Sequence, residues 1–84
     1  FMENREIAQL LAETADLMEI ASEDGFRIRS YRTGASAIEG FPERIADVAR
    51  TPGRALTDIP GIGKGLAAVI QEILQRGSFE PRPQ

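Results

Sequence analysis

The stretch "LTDIPGIGKGLAAVI" (residues 56–70) decides the fold, because it places three glycines and a proline directly ahead of an apolar run. Pro60 fixes one backbone torsion, Gly61 and Gly63 permit a positive φ, and Gly65 leaves the first helical turn without a covering side chain. Amides at a helix start have no partner within the helix and attract anions. The stretch therefore predicts a tight turn that presents bare N–H groups at the start of a helix.

The spacing of apolar residues along the rest of the chain predicts further helices and no strand. A stripe that includes Leu17 predicts the first helix, Gly34 in the second permits close helix packing, and Pro42 occupies a first-turn position in the third. The four longer helices are predicted at about 4–22, 27–39, 43–50 and 64–76, and Gly77 ends the last one. A further helix of barely more than one turn is predicted just before Pro60. The fold class is all-α, a compact bundle of four to five short helices.

The composition excludes several classes of site and of protein. The 84 residues fit one domain, and they include no cysteine and no histidine. Disulfides, thiolate and common zinc sites, and thiol or histidine catalysis are therefore excluded. No run approaches the roughly 20 apolar residues of a membrane span and no leader opens the chain, so we expect a cytoplasmic protein without a membrane partner. We also expect a monomer. Residues 81–84 are predicted to be a linker or cut point.

The net charge of −3 hides an uneven distribution. Residues 1–24 hold seven acidic residues and one arginine, whereas residues 25–84 hold nine of the ten cations and six acidic residues. Such asymmetry is typical of a chain that presents one face to a polyanion. A solvated acidic helix with scattered arginines is the alternative explanation.

A second notable stretch is "FRIRSYR" (residues 26–32), which holds three arginines and two aromatic residues. On a helix Arg27 and Tyr31 lie one turn apart, where both side chains can converge on one phosphate. Arginine offers a planar fork to phosphate oxygens, and an exposed ring can stack on a base. A surface arginine cluster beside a core tyrosine explains this stretch equally well.

The order of these motifs resembles a known family. "LTDIPGIGKGLAAVI" resembles a helix-hairpin-helix, here spanning about 53–76. With "FRIRSYRTGASAIEGFP" upstream, residues 4–80 resemble the N-terminal small domain of the family X DNA polymerases, most closely the bacterial type. The resemblance implies a four-helix DNA-binding module that is not catalytic by itself. In base excision repair it would grip the 5′-phosphate side of gapped or nicked duplex DNA. The polymerase active site, a nucleotidyltransferase that requires Mg²⁺, would lie on later domains of the parent.

The resemblance assigns roles to the second helix and to the hairpin. It implies that Arg27 and Tyr31 contact the 5′-phosphate and that Phe26 stacks near the templating strand. In the hairpin, the implied DNA contacts are the amides of Gly61, Gly63 and Gly65. The carbonyls of Thr57, Ile59 and Ile62 would hold a sodium or potassium ion between the hairpin and a phosphate.

One position departs from the family pattern. Relatives with 5′-deoxyribose phosphate lyase activity use a lysine as a Schiff-base nucleophile, and Val69 occupies the matching position here, while Gly65 replaces another phosphate-binding lysine. Valine has no amine for this chemistry, so no catalytic residue is predicted. Lys64 is expected to contact the DNA backbone. Two alternatives stay open: a lyase that uses Lys64, and a helical protein-interaction domain that docks through its acidic first helix.

Overall fold

A computed structural model describes residues 2–77 and shows an all-α bundle. The helices are α1 (Asn4–Ile20), α2 (Gly25–Glu39), α3 (Ile45–Arg50) and α4 (Lys64–Arg76), with a 3₁₀ turn at Leu56–Asp58 between the last two. The described part of the chain contains no strand, as predicted. None of its helices is long and apolar enough to cross a membrane. The predicted linker at residues 81–84 lies outside the described residues.

The turn between α1 and α2 corrects both predicted helix ends. α1 ends at Ile20, because Ser22 adopts a left-handed conformation with φ of 59° and the Glu23 amide donates back to the Met18 carbonyl at 2.9 Å. This is a Schellman-type ending. α2 begins at Gly25, where the Asp24 carboxylate accepts the Phe26 amide at 3.1 Å.

The start of α3 depends on a residue far away in the sequence. Asn4 Oδ1 accepts the Ile45 amide at 2.8 Å, and Asn4 Nδ2 donates to the Glu43 carbonyl at 2.7 Å. α3 therefore begins at Ile45, and Pro42 precedes the helix instead of occupying its first turn. Arg54 also holds this loop with two hydrogen bonds to the Glu43 carboxylate, at 2.6 and 3.2 Å.

The core is built from one face of each helix together with the two isoleucines of the hairpin turn. Leu17 departs from the prediction, because its side chain is 54% exposed. Burial of aliphatic side chains is the main source of stability in a bundle of this size. The side chains with no exposed surface are Ile7, Leu11, Ala15, Ile38, Ile45, Ile70 and Ile73, and Ile59 and Ile62 are 4% exposed.

The contact between α2 and α4 depends on a glycine. Gly34 is buried, and a Cβ atom at this position would overlap the Cδ2 atom of Leu66. The absence of a side chain therefore lets Leu66 of α4 pack directly against the backbone of α2. This confirms the predicted close packing at Gly34 and brings the hairpin against α2.

Candidate nucleic-acid interface

A cleft of about 610 Å³ lies between α2 and the hairpin. Both sequence motifs contribute to its walls, although more than 20 residues separate them in the chain. The cleft brings together every residue predicted to contact DNA. Its lining consists of Phe26, Arg27, Arg29, Ser30, Tyr31, Thr33, Gly61, Gly63, Lys64, Gly65, Leu66 and Val69.

The N-terminus of α4 forms one wall of the cleft. Gly63 is its N-cap and has φ of −90° and ψ of −178°, which is extended backbone, so Gly63 does not use the positive φ that glycine permits. The cap has no side-chain acceptor, and the first amide to bond back is that of Ala67, which donates to the Gly63 carbonyl at 2.9 Å. The amides of Lys64 and Gly65 therefore remain as donors at the cleft.

Gly61 holds the hairpin turn against α2. Its φ of +96° confirms the predicted positive φ, and a left-handed φ of this kind favours glycine. A Cβ atom at Gly61 would lie 3.3 Å from Ala37 Cβ and 3.4 Å from Thr33 Cγ2. The turn therefore packs on α2 through its backbone, and the buried side chains of Ile59 and Ile62 anchor it to the core.

The arginine and the tyrosine of "FRIRSYR" come together as their spacing predicted. The Arg27 guanidinium lies over the Tyr31 ring, 5.8 Å from the ring centroid, and Phe26 is 69% exposed at the edge of the cleft. Tyr31 is only 5% exposed. Within residues 2–77 no buried side-chain oxygen lacks a hydrogen-bond partner, and the Tyr31 hydroxyl bonds to no residue of that range. The Tyr31 hydroxyl therefore reaches solvent at the cleft.

The charges around the cleft are one-sided. Arg27, Arg29 and Lys64 line it, and no carboxylate of residues 2–77 belongs to its lining. Arg29 and Lys64 form no ion pair with any residue between 2 and 77, and Arg5, outside the cleft, is the other cation of that range without one.

Elsewhere on the described surface, every arginine except Arg5 is paired with a carboxylate. Arg32 bonds to Glu19 at 2.8 Å and to Asp16 at 2.9 Å, and these carboxylates, Glu19 above all, raise the pKa of the Arg32 guanidinium. Arg54 bonds to Glu43 in the same way. Two of the three described cations that form no ion pair within residues 2–77, Arg29 and Lys64, therefore lie at the cleft.

Sequence analysis missed three lining residues, Arg29, Ser30 and Thr33. With Phe26 they form the series i, i+3, i+4 and i+7, which places all four on one face of α2. The face is polar, so an analysis based on apolar periodicity passed over it. The same periodicity applied to polar residues could have identified this face, but not that the hairpin lies opposite it.

Val69 and Lys64 lie on the same cleft. Val69, at the position that matches the lyase lysine, is partly buried in the lining, whereas Lys64 is exposed at the start of α4. The position that the resemblance matches to the lyase lysine thus lines the cleft and holds an aliphatic side chain.

The three predicted cation-binding carbonyls belong to the hairpin and not to the cleft lining. The Ile59 carbonyl already accepts the Ile62 amide at 3.0 Å, which leaves it a second lone pair. The carbonyls of Thr57 and Ile62 accept no backbone hydrogen bond of the described turns. Neutral carbonyl oxygens are ligands that suit a hard cation, so the donor set fits a sodium or potassium ion.

Comparisons with known proteins agree with this geometry. A family model described as "Helix-hairpin-helix domain" matches residues 2–79. A curated relative, the DNA polymerase/3′-5′ exonuclease PolX of Bacillus subtilis (strain 168), is 28% identical over 76 residues. That alignment covers 90% of this chain and 12% of the relative, so the chain spans about an eighth of the relative's length. No solved structure gives a significant match.

Proposed function

The chain belongs to the helix-hairpin-helix domain family, and from this we propose that it is the DNA-binding module of a repair DNA polymerase, directed to gapped or nicked DNA. The domain would grip the phosphate backbone on the 5′-phosphate side of the gap without catalysing a reaction. The polymerase name of the Bacillus subtilis relative supports the assignment of the parent protein.

The observation that carries this proposal is the cleft itself: three cations line it beside the uncapped N-terminus of α4, and no carboxylate of residues 2–77 belongs to its lining. Backbone amides and a helix N-terminus bind phosphate without reading bases. Arg29 and Lys64 form no ion pair within residues 2–77, so a phosphate can bind them without displacing a carboxylate of that range. Arg27 and the Tyr31 hydroxyl form the opposite part of the cleft, where we assign the terminal 5′-phosphate.

A monovalent cation would complete the hairpin contact. The carbonyls of Thr57, Ile59 and Ile62 would hold a sodium or potassium ion, which would supply positive charge between the hairpin and a phosphate. The buried side chains of Ile59 and Ile62 hold the turn in place and so position the amides of α4.

The test of this function is the salt dependence of DNA binding. Binding to gapped DNA with a 5′-phosphate should weaken with a log–log slope of about 0.9 per phosphate contacted, so about 3 for contacts by Arg27, Arg29 and Lys64. Arg29→Gln should lower the slope by about 1. Arg5→Gln is the matched control, because Arg5 also lacks an ion pair within residues 2–77 but does not line the cleft. A slope near zero for the unmodified domain would contradict the proposal and favour a protein-interaction domain.

A further inference from the structure

The carboxylate of Glu23 contacts Arg27 at the edge of the cleft. We infer that Glu23 restrains Arg27, so that a DNA phosphate competes with this carboxylate for the guanidinium. This inference rests on the proposed function and identifies a residue that limits the affinity of the same site. Glu23 belongs to neither motif and was not predicted to take part in binding.

The backbone of Glu23 is fixed from both sides. Its amide donates to the Met18 carbonyl in the ending of α1, and the preceding Ser22 adopts the left-handed conformation that this ending requires. The following residue, Asp24, is the N-cap of α2 and accepts the Phe26 amide. Glu23 thus lies between two capping motifs, which keep its carboxylate within reach of α2.

The geometry places Arg27 between two partners. Glu23 Oε1 is 3.4 Å from Arg27 Nη1, and on the other side the guanidinium lies over the Tyr31 ring. The side chains of Arg27 and Glu23 are 55% and 43% exposed, so the ion pair is accessible to solvent and to an incoming phosphate. Exposed pairs of this kind are weak, and a phosphate can displace the carboxylate.

The restraint divides the cations of the cleft into two groups. Arg29 and Lys64 have no ion pair to break within residues 2–77 and supply the basal affinity for any duplex. Arg27 contributes fully only after its pair with Glu23 opens, and the nearby carboxylate repels the bound phosphate. A DNA end without a phosphate leaves the pair intact. Glu23 therefore reduces the affinity for phosphorylated ends specifically and keeps their binding reversible.

The test compares Glu23→Gln with Glu13→Gln on two gapped duplexes that differ only in a 5′-phosphate or a 5′-hydroxyl. Glu13 is the matched control, because it loses the same charge from α1, bonds only to Gln9, and does not line the cleft. Fluorescence anisotropy at one salt concentration should show Glu23→Gln binding the phosphorylated gap about two- to fivefold more tightly than the unmodified domain. On the 5′-hydroxyl gap the two variants should differ little. The gain should disappear in the Arg27→Ala background.

Three results would overturn the inference while leaving the DNA-binding function intact: equal effects of the two variants on the phosphorylated gap, an equal gain on both gaps, or a gain that persists without Arg27. Weaker binding by Glu23→Gln would also overturn it, since Glu23 would then position Arg27 for the phosphate. Failure of the unmodified domain to bind DNA in a salt-dependent manner would instead refute the proposed function itself, and the inference with it. Circular dichroism melting confirms that each variant is folded.

Discussion

Replacing Gly65 by alanine separates stability from binding at the start of α4. A Cβ atom at Gly65 meets no atom within 4 Å, so the substitution introduces no clash. Alanine in a helix interior is favoured over glycine by about 0.8–1 kcal/mol, and about half of this is expected in the first turn, where the helix is partly formed. For a domain of this size, about 0.5 kcal/mol raises Tm by about 2–4 °C.

The same methyl group should weaken DNA binding. Gly65 lines the cleft beside the free amides of α4, and a methyl group there obstructs the approach of a phosphate. Loss of one hydrogen bond to a charged group amounts to about 1.5–3 kcal/mol, which corresponds to at least a tenfold rise in Kd. Melting by circular dichroism and anisotropy titration with gapped DNA measure the two effects on the same sample.

Gly25→Ala is the matched control for this prediction. Gly25 is the first residue of α2, a Cβ atom there also meets nothing within 4 Å, and the residue does not line the cleft. The control should gain stability without losing affinity. If Gly65→Ala binds DNA as tightly as the unmodified domain, the amides of α4 do not contact phosphate and the hairpin is only a structural turn.

Four further predictions follow from other contacts. Arg27→Ala should abolish the preference for a 5′-phosphorylated gap in anisotropy titrations at an unchanged Tm, because its side chain is more than half exposed; a retained preference would refute its assignment. The unmodified chain should give no borohydride-trapped adduct on an incised abasic substrate beyond a trace from its N-terminal amine, whereas Val69→Lys should create one, because it places an amine in the lining of the cleft; strong trapping that Lys64→Ala removes would make the domain a lyase. Asn4→Ala should lower the free energy of unfolding by about 1–3 kcal/mol in urea melts, since it leaves the Ile45 amide and the preceding loop without their partner; a smaller loss would mean that water replaces Asn4. The hydrogen bonds from Arg54 lower the pKa of Glu43, so ionised Glu43 stabilises the fold. The Tm of the unmodified domain should therefore exceed that of Glu43→Gln by its full amount above about pH 5, and this difference should disappear as the pH falls through the lowered pKa. A Tm difference that is independent of pH would refute this contribution.

The fold could be predicted from sequence where local periodicity determines it. α4 runs from Lys64 to Arg76 as expected, because one apolar face and the left-handed Gly77 define its whole length. The start of α3 could not be predicted, since it depends on Asn4, about 40 residues earlier. The first residues of α2 were also missed, because the cap at Asp24 forms only once the chain leaves α1 through Ser22.

Local spacing in the sequence predicts only part of the site. Spacing alone brings Arg27 over Tyr31, and the glycine pattern predicts the open start of α4. The sequence did not indicate which of the two turn glycines uses a positive φ: Gly61 does, whereas Gly63 is an N-cap with extended backbone. The position of Arg29 opposite the hairpin depends on how α2 packs on α4. The pairing of Arg32 with α1 is likewise a tertiary effect.

The contact of Gly34 with Leu66 means that the width of the cleft is determined in the interior of the protein. One wall of the cleft belongs to α2 and the other to α4, and these helices approach each other as closely as Leu66 permits. A larger residue at position 34 would push the walls apart and separate Arg27 from Lys64, although neither side chain would be altered. Affinity can therefore drift during evolution, or be adjusted by an engineer, through a position that no ligand ever touches.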